Sequence, residues 1–355
     1  MWAGASAGKG PAGRVSAGTK SAGVHPGGAC AGDDGVKLLS ALFCFLLVLA
    51  LGARPILAEH RIVVLPQDVL EVVRLLGGMP QVVGVSHHAV DRRALMPEVA
   101  ALPSVGSGFS PNFESIAALS PDVVIAWREY PGMELEQRLK PFGIRVVRLD
   151  MHLPENLEQC VHVLADLLGG HAHNKGEVFL RWVRQAERNL KGCIPVNDKP
   201  PTVLGRHFVA ERVAGPGSAL FDLTVGAGGN NPAKVLHAAS SIINMEWVAE
   251  QNPAVIIQSV SLCTLDTDKG QEQLAQARNR LMGQTDWQGM AAVHTGRVYA
   301  LASDILGGPR WVVGLAAMIE ALYPDAQCTP SAVQLHDEYL RLFQAGKAGG
   351  AIVAP

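Results

Sequence analysis

The feature that most narrows the fold is a segment the chain carries twice. Residues 111–127 read PNFESIAALSPDVVIAW, and residues 244–258 read NMEWVAEQNPAVIIQ. With Asn112 laid on Asn244, Glu114 meets Glu246, Ala117 meets Ala249, Pro121 meets Pro253, Val123 meets Val255 and Ile125 meets Ile257, without a gap. In each copy Asn stands immediately before a helical stretch, where its side chain can cap the free N–H groups. The Glu two places on falls in the first turn, where the helix dipole favours an anion. Pro then separates the helix from an apolar run that reads as a buried strand. A helix–strand unit repeated once per half implies two lobes of like construction, each presenting a carboxylate at an equivalent place.

The surrounding pattern agrees. In the first half, strands are expected at 61–65, 81–85, 122–127 and 144–149, with helices at 68–78, 113–119, 133–140 and 155–168. Asp68 reads as the N-cap of the first helix, and Gly77–Gly78 as its stop. Continuous apolar strands alternating with amphipathic helices argue for a parallel sheet covered on both faces. The stretch 174–192 is one long helix, with Val178, Phe179, Trp182, Val183, Ala186 and Leu190 on one side, followed by a Pro-rich linker at 195–201. The second half restarts with strands at 202–205, 254–260 and 297–303 and helices at 218–226, 244–251, 270–282, 309–322 and 331–344. The expected fold is α/β, with two Rossmann-like lobes joined by one long backbone helix and a ligand cleft between them. The N-terminal lobe spans 59–170, the bridging helix 171–195, and the C-terminal lobe 196–355, including a C-terminal helix and short tail.

The N-terminus has a different character. Residues 1–36 are rich in Gly, Ala and Ser without an apolar period, so they cannot repay the entropy of ordering. Lys37 then precedes an apolar run of 16 residues, 38–53, shorter than the roughly 20 a membrane-spanning helix needs. A positive flank, a short apolar core and small residues after it describe an export signal, cleaved after Ala53 or, by preference, after Ala58, which removes 1–58; the competing reading keeps 38–53 as a membrane anchor. The remaining chain has 25 basic and 30 acidic residues, a net charge near −5, without the basic stripe a nucleic-acid partner would need. Cys160, Cys193, Cys263 and Cys328 remain and permit three pairings, which the sequence does not choose among.

The stretches NFESIAALSPDVVIAWR, AGGNNPA (227–233), AVHTGRVYALASD (292–304) and GPRWVVGLAAMIEALYPD (308–325), with the export signal and bridging helix, resemble the helical-backbone periplasmic binding proteins of ABC importers for iron chelates, haem and cobalamin. The resemblance covers essentially all of 59–344; the E-x-x-x-x-L-x-P-D-V-V-I core with its C-terminal counterpart is fairly specific to it, and IAWR closely resembles the corresponding stretch of the cobalamin-binding member. It implies an extracytoplasmic monomer that carries no intrinsic cofactor and whose lobes close weakly about a rigid helix. It also implies docking, through Glu114 and Glu246, on arginines of a dimeric permease served by cytoplasmic ATPase subunits.

A cleft between two parallel sheets takes ligand on the loops at the strand C-termini. Those loops hold His87, His88, Phe109, Trp127, Arg128 and Tyr130 in the first half, and Arg206, His207, Asp304 and Arg310 in the second. Aromatic faces and guanidinium groups suit a large, flat, partly anionic molecule such as haem, a ferric siderophore or a corrinoid. Imidazoles at His87, His88 and His207 could reach a metal within it. Each has a plainer reading: the histidines as loop residues bonded to backbone, Trp127 as core, Arg310 as the partner of a nearby carboxylate. Relatives that take oxyanions such as molybdate keep that cargo open as well. A two-lobed enzyme, metal-inserting or glycosyl-transferring, is the rival class; the chain has no H-E-x-x-H, G-x-S-x-G or P-loop, and its glycine clusters at 215–217 and 226–229 lack dinucleotide spacing.

Overall fold

Strands without a polar face must be covered on both sides. The structure, a computed structural model, arranges them so. It describes residues 60–344 apart from 91, 94, 197–198, 209–211 and 262–267, together with 353 and 354. The expected export signal and Cys263 lie outside the described residues.

In the first lobe, β1 (Ile62–Val64), β2 (Val82–Val85), β3 (Val123–Trp127) and β4 (Arg145–Leu149) form a wholly parallel sheet in the order β2-β1-β3-β4. Its helices are α1 (Gln67–Leu76), α2 (His87–Val90), α3 (Phe113–Ala118), α4 (Glu134–Leu139) and α5 (Leu157–Leu168). Helix α6 (Ala172–Cys193) follows as the bridge. The second lobe has β5 (Val203–Arg206), β6 (Arg212–Ala214), β7 (Ser240–Ile242), β8 (Val255–Val260), β9 (Val298–Ala302) and β10 (Val353–Ala354), in the order β10-β9-β8-β5-β6-β7. The strands expected from sequence, β5, β8 and β9, are its parallel centre. Strands β6, β7 and β10 add on through antiparallel pairs and were not anticipated, because two or three residues carry no period to read. The helices here are α7 (Ala219–Gly226), α8 (Met245–Gln251), α9 (Asp268–Met282), α10 (Ala291–His294), α11 (Trp311–Leu322) and α12 (Ala332–Phe343).

Side chains alternate across each strand, so each sheet separates two cores. Val63, Val124 and Ala126 face an outer core of the first lobe, and Leu204, Ile256 and Val298 an outer core of the second. Ile62, Val64, Val123 and Ile125 face a central core that also takes Val203, Val255 and Ile257. The Val and Ile of the duplicated segment are therefore the residues that point into the shared centre from both sides. The copies agree in finer detail too. Asn112 accepts a hydrogen bond from Ser115 N at 2.8 Å, and Asn244 from Trp247 N at 2.9 Å. The residue before each duplicated proline is left-handed, Ser120 at φ 46° and Asn252 at φ 37°.

Helix α6 lies in the central core through Phe179, Leu180, Val183, Ala186 and Leu190. Val178, expected on that face, is half exposed, because the stripe that meets both lobes runs through Gly176 and Leu180 instead. Phe179 and Trp182 pack against Tyr339 and Phe343 of α12, with ring centroids 5.3–6.4 Å apart. Asp68 also differs from expectation. Helix α1 starts one residue earlier, at Gln67 behind an extended Pro66, so Asp68 sits inside the first turn; Gly77 does end the helix, at φ 86°. Cys160, Cys193 and Cys328 are free thiols. Burial and the neighbouring Cys193 side chain push the Cys328 thiol up to about 12.

A buried polar network ties the lobes together beneath the cleft. Glu71 of α1, 2% exposed, pairs with the Arg310 guanidinium, whose Nε lies 3.0 Å from Oε1, and accepts hydrogen bonds from Arg310 Nη2 at 3.2 Å and from the Tyr339 hydroxyl at 2.7 Å. Arg92 reaches Asp304 at 2.6 Å and Gln67 at 2.6 Å. Gln344 donates to the Tyr339 oxygen at 2.9 Å, and Arg74 spans Glu98 and Gln344. Burial and the Glu71 carboxylate hold the Tyr339 phenol well above its ordinary pKa, so it stays a donor. Removing one member strands the charge of its partner, which costs about 3–5 kcal/mol in a buried pair. Glu71→Ala is therefore expected to lower unfolding free energy by about that amount, measured by urea denaturation at pH 7; a loss below about 1 kcal/mol, the range of a surface pair, would contradict it.

Candidate functional site

The C-terminal ends of the parallel strands of both sheets open on one cleft. From the first lobe, the loop at 107–110 and the ends of β3 and β4 deliver Phe109, Trp127 and His152; from the second, the end of β5 delivers His207 and Phe208. A cavity of about 470 Å³ is lined by Asp68, Phe109, Trp127 and His152 on one side and by Phe208 and Leu306 on the other. It adjoins a second cavity of about 260 Å³ that shares His152 and Phe208 and adds His207.

The wall on the first lobe is aromatic. Phe109 lies flat on Trp127, centroids 4.8 Å apart and planes within 5°. Tyr130 meets Phe109 edge-on at 5.8 Å and His88 does so at 6.4 Å, with His87 3.8 Å beyond His88. Phe109 is 56% exposed and Tyr130 54%, and of the cluster Phe109 and Trp127 line the cavity. The stack depends on Gly108: a Cβ there would come within 2.7 Å of the Trp127 ring. Phe208, 57% exposed, stands across the cleft.

The charged residues at the cleft are mostly committed to one another. Arg310 and Asp304 belong to the buried network, with Arg310 fully enclosed. Arg128 pairs with Asp150 at 3.2 Å. Arg206 bonds Gln258 at 2.9 Å and lies over the Trp287 ring at 4.5 Å, between two further cavities of the second lobe. Burial lowers the His207 pKa below its ordinary value, so the ring is neutral at pH 7; its Nε2 is 3.4 Å from Ala239 O. Burial raises the Asp68 carboxyl above its ordinary value. Among the described residues no group of three or more His, Cys, Asp or Glu could hold a metal ion by itself.

The structure thus gathers His87, His88, Phe109, Trp127 and Tyr130 into one patch and sets His207 across the cleft, while Asp304 and Arg310 lie beneath it in the network. Sequence reasoning passed over His152, Phe208, Asp150 and Arg92. The strand-end rule that pointed to Trp127 would have reached His152, three residues past β4, had it been applied to that strand. Outside the cleft, Glu114 and Glu246 are both exposed, each in the first turn of a capped helix.

A family model described as periplasmic binding protein matches residues 62–305. Among solved structures, the chain is similar to a periplasmic haem-binding protein from Pseudomonas aeruginosa, at 27% identity and a TM-score of 0.63, over 77% of this chain and 96% of that one. It is similar to the periplasmic haem-binding protein RhuT from Roseiflexus, at 25% identity and 0.62, over 76% and 100%. The molybdate-binding protein MolA from Haemophilus influenzae shares the fold at 18% identity and 0.68, over 82% and 95%. No curated protein matches.

The aromatic wall makes its own prediction. Gly108→Val drives a side chain into the Trp127 ring and should unstack Phe109, changing tryptophan emission in the folded protein; an unchanged spectrum would show that the stack does not need the glycine.

Proposed function

Because the chain belongs to the periplasmic binding protein family, we propose that it serves an ABC importer by capturing a metal chelate of haem, siderophore or corrinoid type and delivering it to a membrane permease. It is a binding protein and not an enzyme. The observation that carries the choice of cargo is the exposed Phe109–Trp127 stack facing Phe208 across the cleft. Flat aromatic faces gain most from a flat, weakly hydrated ligand. A small oxyanion would instead need uncommitted cations, and Arg92, Arg128 and Arg310 are each occupied by a carboxylate.

Export through 38–53 with cleavage near Ala58 is part of this reading, as are the lobe limits 59–170 and 196–355 about a bridge at 171–195. A monomer delivering cargo needs a face that the permease can read. Glu114 and Glu246 suit that purpose, since each is exposed at the start of a crossover helix that leads into a central strand, β3 in one lobe and β8 in the other. In a parallel sheet such helix starts lie toward the strand C-termini, the end at which the cleft opens. The shared core holds the two lobes in one arrangement, so the two carboxylates keep a constant separation. Among the described residues no helix is long and apolar enough to cross a membrane.

Two measurements test this reading. Phe109→Ala should weaken binding of the transported chelate by about tenfold or more, the loss of an anchoring aromatic. The pair Glu114→Ala with Glu246→Ala should abolish uptake in cells while the affinity of the purified protein is unchanged; a double variant that still transports at the wild-type rate would remove the docking assignment.

A further inference from the structure

The cysteines at 160, 193, 263 and 328 permit three pairings by sequence, and the structure brings two of them together. Cys193 is the last residue of α6, and Ile194 after it is already extended. Cys328 follows α11 in a loop held by its own backbone, with Tyr323 N donating to Ile319 O at 2.8 Å, Ala326 N to Tyr323 O at 2.9 Å and Cys328 N to Ala326 O at 3.0 Å. The two segments converge on one glycine. A Cβ at Gly228 would come within 2.8 Å of Ile194 Cγ2 and 3.0 Å of the Tyr323 hydroxyl, which itself donates to Gly228 O at 2.8 Å. Beside that junction the side chains of Cys193 and Cys328 are in hydrogen-bonding contact, and both are half-buried. Cys160 lies elsewhere, on the buried face of α5 near Asp68 and Asp150.

We infer that Cys193 and Cys328 form an oxidation site, closed to a disulfide in the exported protein by exchange with an external disulfide, and that the bond braces the bridging helix against the second lobe. From the import reading above this takes only the location outside the cytoplasm, where disulfide oxidants act. Cys193 attacks one sulfur of the external disulfide, and the first small thiol leaves with the proton that Cys193 gave up. Cys328 then displaces the second thiol and gives it its own proton. Two cysteine thiols are oxidised, one external disulfide is reduced to two thiols, and one S–S bond forms for the one broken. Burial and the neighbouring Cys193 hold the Cys328 thiol up at about 12, so it is too rarely ionised at pH 7 to open the exchange; its contact with Cys193 makes the second step intramolecular. Without the bond, α6 reaches β5 only through the Pro-rich linker at 195–201. The disulfide adds a second covalent path, and the loop it closes contains β5 to β9 and α7 to α11. A closure that long restricts the unfolded chain strongly.

The test takes the protein from the extracytoplasmic compartment, blocks its thiols with iodoacetamide and digests it without reductant. The peptides that hold Cys193 and Cys328 should appear as one linked species, two hydrogen atoms lighter than the pair, which reductant separates. Reductant should also lower the thermal midpoint of the folded wild-type protein by about 4 °C or more, the scale of a lost long-loop disulfide in a chain of this size. Cys193→Ser and Cys328→Ser should each begin at the lower midpoint and ignore reductant. Should either variant fail to fold, the wild-type peptide map and its response to reductant decide. Blocking groups on both cysteines of the untreated protein overturn the inference, and so does linkage of either one to Cys160 or Cys263. A wild-type midpoint indifferent to reductant, once the peptides are shown to be separated, overturns the bracing role. None of these results touches the cleft or the carboxylates of Glu114 and Glu246, so uptake by a protein whose thiols stay reduced leaves the import reading standing.

Discussion

The structure depends on a carboxylate taken out of water. Glu71 sits in the wall between the lobes, and its two oxygens are shared by Arg310 and Tyr339 from the second lobe. Desolvating an ion pair is costly, and an apolar replacement of equal volume is often as stable, so the network is weak evidence for stability as such. What it does supply is direction. Hydrogen bonds with fixed geometry link α1, the segment around Arg92, the loop after β9 and the last turn of α12, and this places the cleft floor relative to its aromatic wall.

That direction is reinforced by apolar packing. A single central core takes the inner faces of both sheets and the buried side of α6, so a hinge between the lobes would have to open a continuous apolar cluster. Close contacts point the same way: a Cβ at Gly307 would meet His152 O at 2.3 Å and one at Gly308 would meet Asp68 Cβ at 3.1 Å, glycines of the second lobe lying against the first. Such a frame recognises ligand by a preformed surface, which reduces the ordering cost of binding.

The cleft separates two kinds of group. Its charges are largely neutralised in place, by Asp150 on Arg128 and by Glu71 and Asp304 on Arg92 and Arg310, while its aromatic rings are left bare. Surfaces of that kind favour a flat apolar body with a few polar edges. The Asp150–His152 pair, 2.7 Å from Oδ1 to Nδ1, adds a polar group to this wall.

Much of this was legible in the order of residues. Helices and long strands declared themselves by period, the duplicated Asn and Glu by capping chemistry, and Trp127 by its place at the end of an apolar strand. The short strands β6, β7 and β10 did not, since two or three residues have no period and pair only because a neighbour offers an edge. Asp68 was read as a cap because local chemistry favours it there, yet Pro66 started the helix first. By itself, then, the chain determined its elements, its two-lobed plan and the family of binders to which it belongs, because periodicity and capping act between near neighbours. Only the tertiary structure decided that Arg310 pairs with Glu71, that Phe208 stands across the cleft from Phe109, and that Asp150 pairs with His152. Those pairings join segments brought together by burial, and no local pattern records which distant partner a buried charge or an exposed ring will find.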